Sequence, residues 1–109
     1  MHKYKVICLC GSTKHKQDFE RVNADLTLAG NVVLSVGYFH HVDKRDIDID
    51  KAKIVLDDIH KQKIDMSDEV FIVNPDNYIG ESTKSEIRYA LAKGKVIKSM
   101  RPIDFDDIK

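Results

Sequence analysis

Apolar positions along the chain fall into two alternating patterns, short continuous runs and stripes spaced by three and four. "KYKVICLC" (3–10) is a β-rich run that stops at Gly11-Ser12. From Lys14 to Ala29, the residues Phe19, Val22, Leu26 and Ala29 recur at helical spacing, which predicts a one-faced helix. Gly30 stands where a left-handed residue ends such a helix. "NVVLSV" (31–36) predicts a second strand, almost continuously apolar, as central parallel strands are. After a polar loop (37–50), a second helix runs from about Lys51 to Met66, with Ala52, Val55, Leu56 and Ile59 on one face. "EVFIV" (69–73) is the third strand. Thr83 to Lys93 forms a third helix with Ile87, Ala90 and Leu91 inward, and Gly94 ends it. "KVIKSM" (95–100) is the fourth strand, and the tail "RPIDFDDIK" opens with a proline that cannot continue a central ladder.

Strands alternating with helices predict right-handed crossovers and a parallel sheet covered on both faces. The expected fold is a three-layer open α/β sheet of the Rossmann or flavodoxin-like kind, with strand order about 2-1-3-4. At 109 residues it is read as one domain, 1–109, with 101–109 as its tail. In such sheets ligands bind beyond the carboxyl ends of the strands, near the point where strand order reverses. The segments that fall there are Cys10–Thr13, Gly37–His41 and Asn74–Ser85.

Charge narrows the partners. The chain has 18 basic and 18 acidic side chains, a formal net charge of zero, and no long block of one sign. A binder of long nucleic acid carries a basic face or stripe, so the expected partner is a small molecule. No apolar run approaches the roughly 20 residues that cross a bilayer. The start, "MHKYKVICLC", enters a strand pattern without the small-residue cleavage site of a signal peptide. Cys8 and Cys10 are the only cysteines. Two apart on a strand they share a face and do not easily pair, and by themselves they are too few to hold zinc. The expectation is reduced thiols in a cytoplasmic core strand, with no metal site and no cofactor.

Candidate chemistry gathers at the carboxyl edge. In "CGSTKH", Cys10 and Gly11 lead into Ser12 and Thr13, whose hydroxyls and N–H groups at a helix start suit a phosphate or carboxylate. A plain turn capped by Ser12 is the alternative. "GYFHHVD" places Tyr38, Phe39, His40 and His41 in a loop long enough to be a lid, with aromatic faces that can stack on a base or sugar. His60 follows Leu56 by one turn and flanks the apolar stripe, as a proton carrier or as a hydrogen-bonded boundary histidine. Thr83-Lys84-Ser85-Glu86 fits a capping box, in which Glu86 reaches back to the helix start. Glu86 also lies only about 40° around the helix from Ala90 on the buried face. There, with hydroxyls at Ser82, Thr83 and Ser85 nearby, its carboxylate could attack an electrophilic carbon.

"CGST" after the first strand, "SDEVFIVNP" around the third and "ESTKSEIRYALAKGKVI" at the last helix and strand carry a resemblance over roughly Val6 to Met100. The layout resembles the nucleoside 2-deoxyribosyltransferase-like superfamily, which includes the 2'-deoxynucleoside 5'-phosphate N-hydrolases. Thr83, Glu86 and Ala90 match its motif, and Ser82 replaces a glycine. The resemblance implies cleavage of the N-glycosidic bond of a nucleoside or (deoxy)nucleoside 5'-monophosphate, by hydrolysis or by deoxyribosyl transfer. It implies that Glu86 is the nucleophile at C1', and that the "CGST" loop and the loop before the third helix contact the sugar's 5' side or its phosphate. It further implies a homodimer or larger assembly. Two family aspartates are absent here. Gly80, with Glu81 beside it, stands at one, and His60 at the other, with Asp57 and Asp58 about one turn earlier. His60 or Asp58 is accordingly the expected acid. Cys10, Gly11, Ser12, Thr13, Tyr38, Gly80, Ser82 and Thr83 are the expected substrate contacts. The departures also leave open a module that senses a nucleotide or sugar phosphate without cleaving it.

Overall fold

A computed structural model of the chain describes residues 3–108; Lys109, counted in the tail, lies outside them. Four parallel strands form one sheet in the order β2-β1-β3-β4, with β1 spanning Val6–Gly11, β2 Val32–Leu34, β3 Glu69–Val73 and β4 Val96–Ser99. The helices are α1 (Lys16–Leu28), α2 (Ile49–Asp65) and α3 (Glu81–Ala92). The expected three-layer α/β architecture and strand order are what the chain adopts.

The period-two alternation of β1 divides the core. Ile7 and Leu9 meet Phe19 and Val22 of α1, together with Val73, on one face. Cys8 and Cys10 meet Ile64 of α2 and Ile87 and Ala90 of α3 on the other. β1 and β3 are paired from Ile7–Glu69 to Gly11–Val73, so both strands end at the same level. That shared end positions the site.

Several expected boundaries move, each for a local reason. The first strand begins at Val6, because Lys3, Tyr4 and Lys5 are exposed. The second shrinks to three residues at the sheet edge and is only partly covered, contrary to its central character in the sequence. A short 3-10 turn, Thr13–His15, precedes α1. Asp48 caps α2 by accepting from the Lys51 N–H at 3.2 Å, which starts that helix earlier than its apolar stripe suggests.

The larger correction concerns the face of α2. His60 and Ile64 are its buried residues, whereas Val55 and Ile59 are 59% and 45% exposed. The helix is turned so that the one-turn series Leu56, His60, Ile64 faces inward. Leu91 of α3, expected inward, is likewise exposed. The tail folds onto its own chain: Ile108 is buried, and Ile103 and Phe105 pack on the Cys8 side of the sheet.

Candidate active site

The ends of β1 and β3 open onto a cavity of about 840 Å³. Gly11, Ser12 and Thr13 form one wall, and Tyr38, His40 and His41 of the long loop form another. Leu56, Asp57 and His60 of α2 face them, and Tyr78, Gly80, Ser82, Thr83 and Glu86 complete the enclosure around the start of α3.

Gly11 makes this geometry possible. Its φ is +155°, and a Cβ there would sit 2.6 Å from the carbonyl oxygen of Val73. Only glycine lets β1 turn away while lying this close to β3. Beyond the turn, the Thr13 hydroxyl pairs with Nδ1 of His40 at 3.4 Å and also with Nδ1 of His41. Lys14 Nζ lies 4.8 Å over the Tyr78 ring and 3.6 Å from Asp76. The turn is thereby tied to both neighbouring loops. The Tyr38 hydroxyl donates to the Asp43 carbonyl at 3.3 Å, and its ring, with the Arg45 guanidinium 5.3 Å over it, borders the cavity.

Glu86 is not a capping residue. Gly80 is the N-cap of α3, Lys84 donates its N–H to the Gly80 carbonyl at 2.9 Å, and Thr83 lies buried inside the first turn. A capping box needs its carboxylate at the third helical position, and that position is held by Thr83. Glu86 stands one turn further on and faces inward. It borders the main cavity and a smaller one of about 230 Å³ between α2 and α3. Burial raises its carboxyl to a pKa of about 7; His60 opposes the rise, while Cys8 and Asp57 add to it.

His60 is held against the sulfurs of β1. Its Nε2 lies 3.3 Å from Cys10 Sγ and 3.7 Å from Cys8 Sγ. The bond from Cys10 lowers the Cys8 thiol to a pKa of about 6 against the effect of burial, with help from His60, and the same pairing together with burial raises Cys10. Burial alone would lower His60, but Cys8 and Glu86 outweigh it and raise its pKa. Two thiols, an imidazole and a carboxyl thus influence one another's ionisation.

Two expected site residues sit elsewhere. Cys10 is fully buried beneath the wall, with its sulfur on His60 rather than in the cavity. Asp58 is exposed and outside the lining, because it lies two residues from His60 and so on the far side of α2. Asp57, three residues from His60, borders both cavities in its place. Helical spacing from a buried His60 would have separated the two aspartates. Lys14, Lys53 and Lys63 also line the main cavity, and their distance apart in sequence hid them. With His40, His41 and His60 they set six nitrogen bases against the carboxyls of Asp57, Glu81 and Glu86.

Neither a family model, a curated protein nor a solved structure matches this chain. Among the described residues, no helix is long and apolar enough to cross a membrane.

Proposed function

We propose that this protein cleaves the N-glycosidic bond of a nucleoside 5'-monophosphate, with Glu86 as nucleophile. The observation that carries the reading is the placement of Glu86, an enclosed carboxyl on the wall of a cavity large enough for a nucleotide and facing His60. The resemblance of "CGST" and the Glu86 helix to the deoxyribosyltransferase-like enzymes points to the same chemistry.

Glu86 attacks C1' as the C1'–N bond breaks, through an oxocarbenium-like state, and the bond's electron pair leaves with the base. Asp57, in place of Asp58, delivers the proton that the departing base takes up. His60 supports negative charge on Glu86. Water then attacks C1' of the glycosyl ester while Asp57 takes its proton, restoring Glu86 and Asp57 and releasing the sugar phosphate; a second base in place of water gives transfer. The N–H groups of Ser12 and Thr13, with Lys14 and the histidine pair, receive the 5'-phosphate, and the Tyr38 ring stacks on the base. Reduced Cys8 and Cys10 suit a cytoplasmic setting.

Incubation with a panel of nucleosides and 5'-monophosphates, read by chromatography of free base, tests this. Monophosphates should release base, and Glu86→Ala should lower the rate by at least about 10³-fold. Base released equally fast by that variant would refute the nucleophile assignment. One observation favours a second reading, a sensor that binds the nucleotide uncut: Gly80, at the cap of α3, offers no carboxylate where related transferases carry one. Thermal stabilisation by monophosphates with no base released would select it.

A further inference from the structure

Three soft or borderline ligand atoms converge beneath the cavity wall. Cys8 Sγ, Cys10 Sγ and His60 Nε2 all lie within 4.8 Å of one another. The sulfur–nitrogen separations are 3.3 and 3.7 Å. A tetrahedral zinc ion with bonds of about 2.3 Å to sulfur and about 2.0 Å to nitrogen sets these separations near 3.5 Å. Both sulfur–nitrogen separations therefore lie close to those of a tetrahedral shell.

We propose that Cys8, Cys10 and His60 form a binding site for a thiophilic divalent metal ion, zinc foremost. The fold supplies what the two cysteines lack alone. Residues two apart on β1 present both sulfurs to one face, and α2 lays His60 across them. Two thiolates neutralise a divalent ion, so the complex carries no net charge among its protein ligands, as a buried site requires. Three protein ligands leave a fourth position for water from the cavity. Because His60 also lines the cavity, the ion has a way in. Uptake transfers the remaining thiol protons to solvent, so affinity rises with pH. The site shares His60 with the glycosidase reading, but its test reads bound metal and not base release, so either can fail alone.

The test is a titration of chelator-treated wild-type protein with Co²⁺, followed by Zn²⁺ competition. One equivalent should bind with a thiolate-to-cobalt charge-transfer band and tetrahedral visible bands, and zinc should abolish both. X-ray absorption of the zinc-loaded wild type should show a shell of sulfurs at about 2.3 Å with lighter ligands at about 2.0 Å. Cys10→Ser and His60→Gln should each weaken zinc by roughly a hundredfold or more, a larger loss than second-shell changes cause. Failure to bind, or a shell of nitrogen and oxygen alone, would overturn the proposal. The wild-type spectra decide this even if either variant does not fold.

Discussion

Two side chains at the mouth of the sheet carry opposite kinds of cost. Glu86, half-buried beside the cavity, is held where its carboxyl has a pKa of about 7 rather than its ordinary 4.5, chiefly because desolvation disfavours the charged form. Between those values the folded protein binds more protons than the unfolded chain, so stability falls as pH rises through that window. In metal-free protein, Glu86→Gln should flatten this slope and exceed wild type by on the order of 2 kcal/mol at pH 8, read by urea unfolding. Equal slopes for the two proteins between pH 5 and 8 would contradict the desolvation of the Glu86 carboxyl. A stabilising substitution that abolishes turnover is the signature of a functional carboxylate. Gly11 works in the other direction, since its lack of a side chain is what the fold needs. Gly11→Ala forces a methyl group to within 2.6 Å of the Val73 carbonyl at a φ of +155°. It should cost about 2–4 kcal/mol and displace the Ser12–Thr13 turn, seen as a lower melting temperature with weakened phosphate binding. A melting temperature equal to that of wild type would show that the strand ends are looser than their packing implies.

At the scale of elements, the pattern of apolar runs reveals the four strands and three α-helices, their order and the parallel sheet. The strands β1 and β3 are bounded to within three residues because their alternation is confined by Gly11 and Asn74. What the pattern does not reveal is how the helices are rotated. The stripe Ala52, Val55, Leu56, Ile59 gives α2 an inward face by hydrophobicity alone, and the helix turns instead to bury His60. A histidine scores as polar, and the thiols that receive it lie some fifty residues away. The start of α3 is mistaken for a similar reason: Thr83 has the chemistry of a cap, but Gly80 has the backbone conformation of one. Glu86 was legible as a residue, while its release from the cap depends on where the helix begins. The junction of β3 with the tail was not legible at all. Asn74, 1% exposed, accepts from the Arg101 N–H at 3.0 Å and donates to the Arg101 carbonyl at 3.2 Å, so its amide pairs with the chain beyond β4 as a neighbouring strand would. The Ser99 hydroxyl also reaches that carbonyl, at 2.6 Å, whereas the N–H depends on Asn74. Asn74→Ala should cost about 1–3 kcal/mol and raise amide exchange at Arg101 selectively. Uniform loss of protection throughout the sheet would mean the contact is not local.

For the whole molecule, the outward face of α2 is the feature out of balance. Ile54, Val55 and Ile59 are 74%, 59% and 45% exposed, and Leu91 of α3 adds a further 39%-exposed side chain. Single exposed apolar residues need no explanation, but adjacent ones along a helix mark a surface that meets a partner. We propose that this surface meets its own copy across a two-fold axis, which makes the contact self-complementary. Ile59 also lines the main cavity, so such an interface would run beside the site. Asp58, exposed in the single chain, stands on the same outward side and would come to the interface. The tail belongs to the protomer's own core. Since Ile108 is buried in its own core and Ile103 and Phe105 pack beside it, removal of 101–109 should lower the stability of each protomer as well as any assembly. The interface is therefore better tested on α2. Light scattering at micromolar concentration should report a dimer for the wild type. Ile54→Glu combined with Val55→Glu should give a monomer that still melts cooperatively, because neither side chain supports the core. A wild-type monomer would remove the interface, and a double variant that stays dimeric would move it to another face.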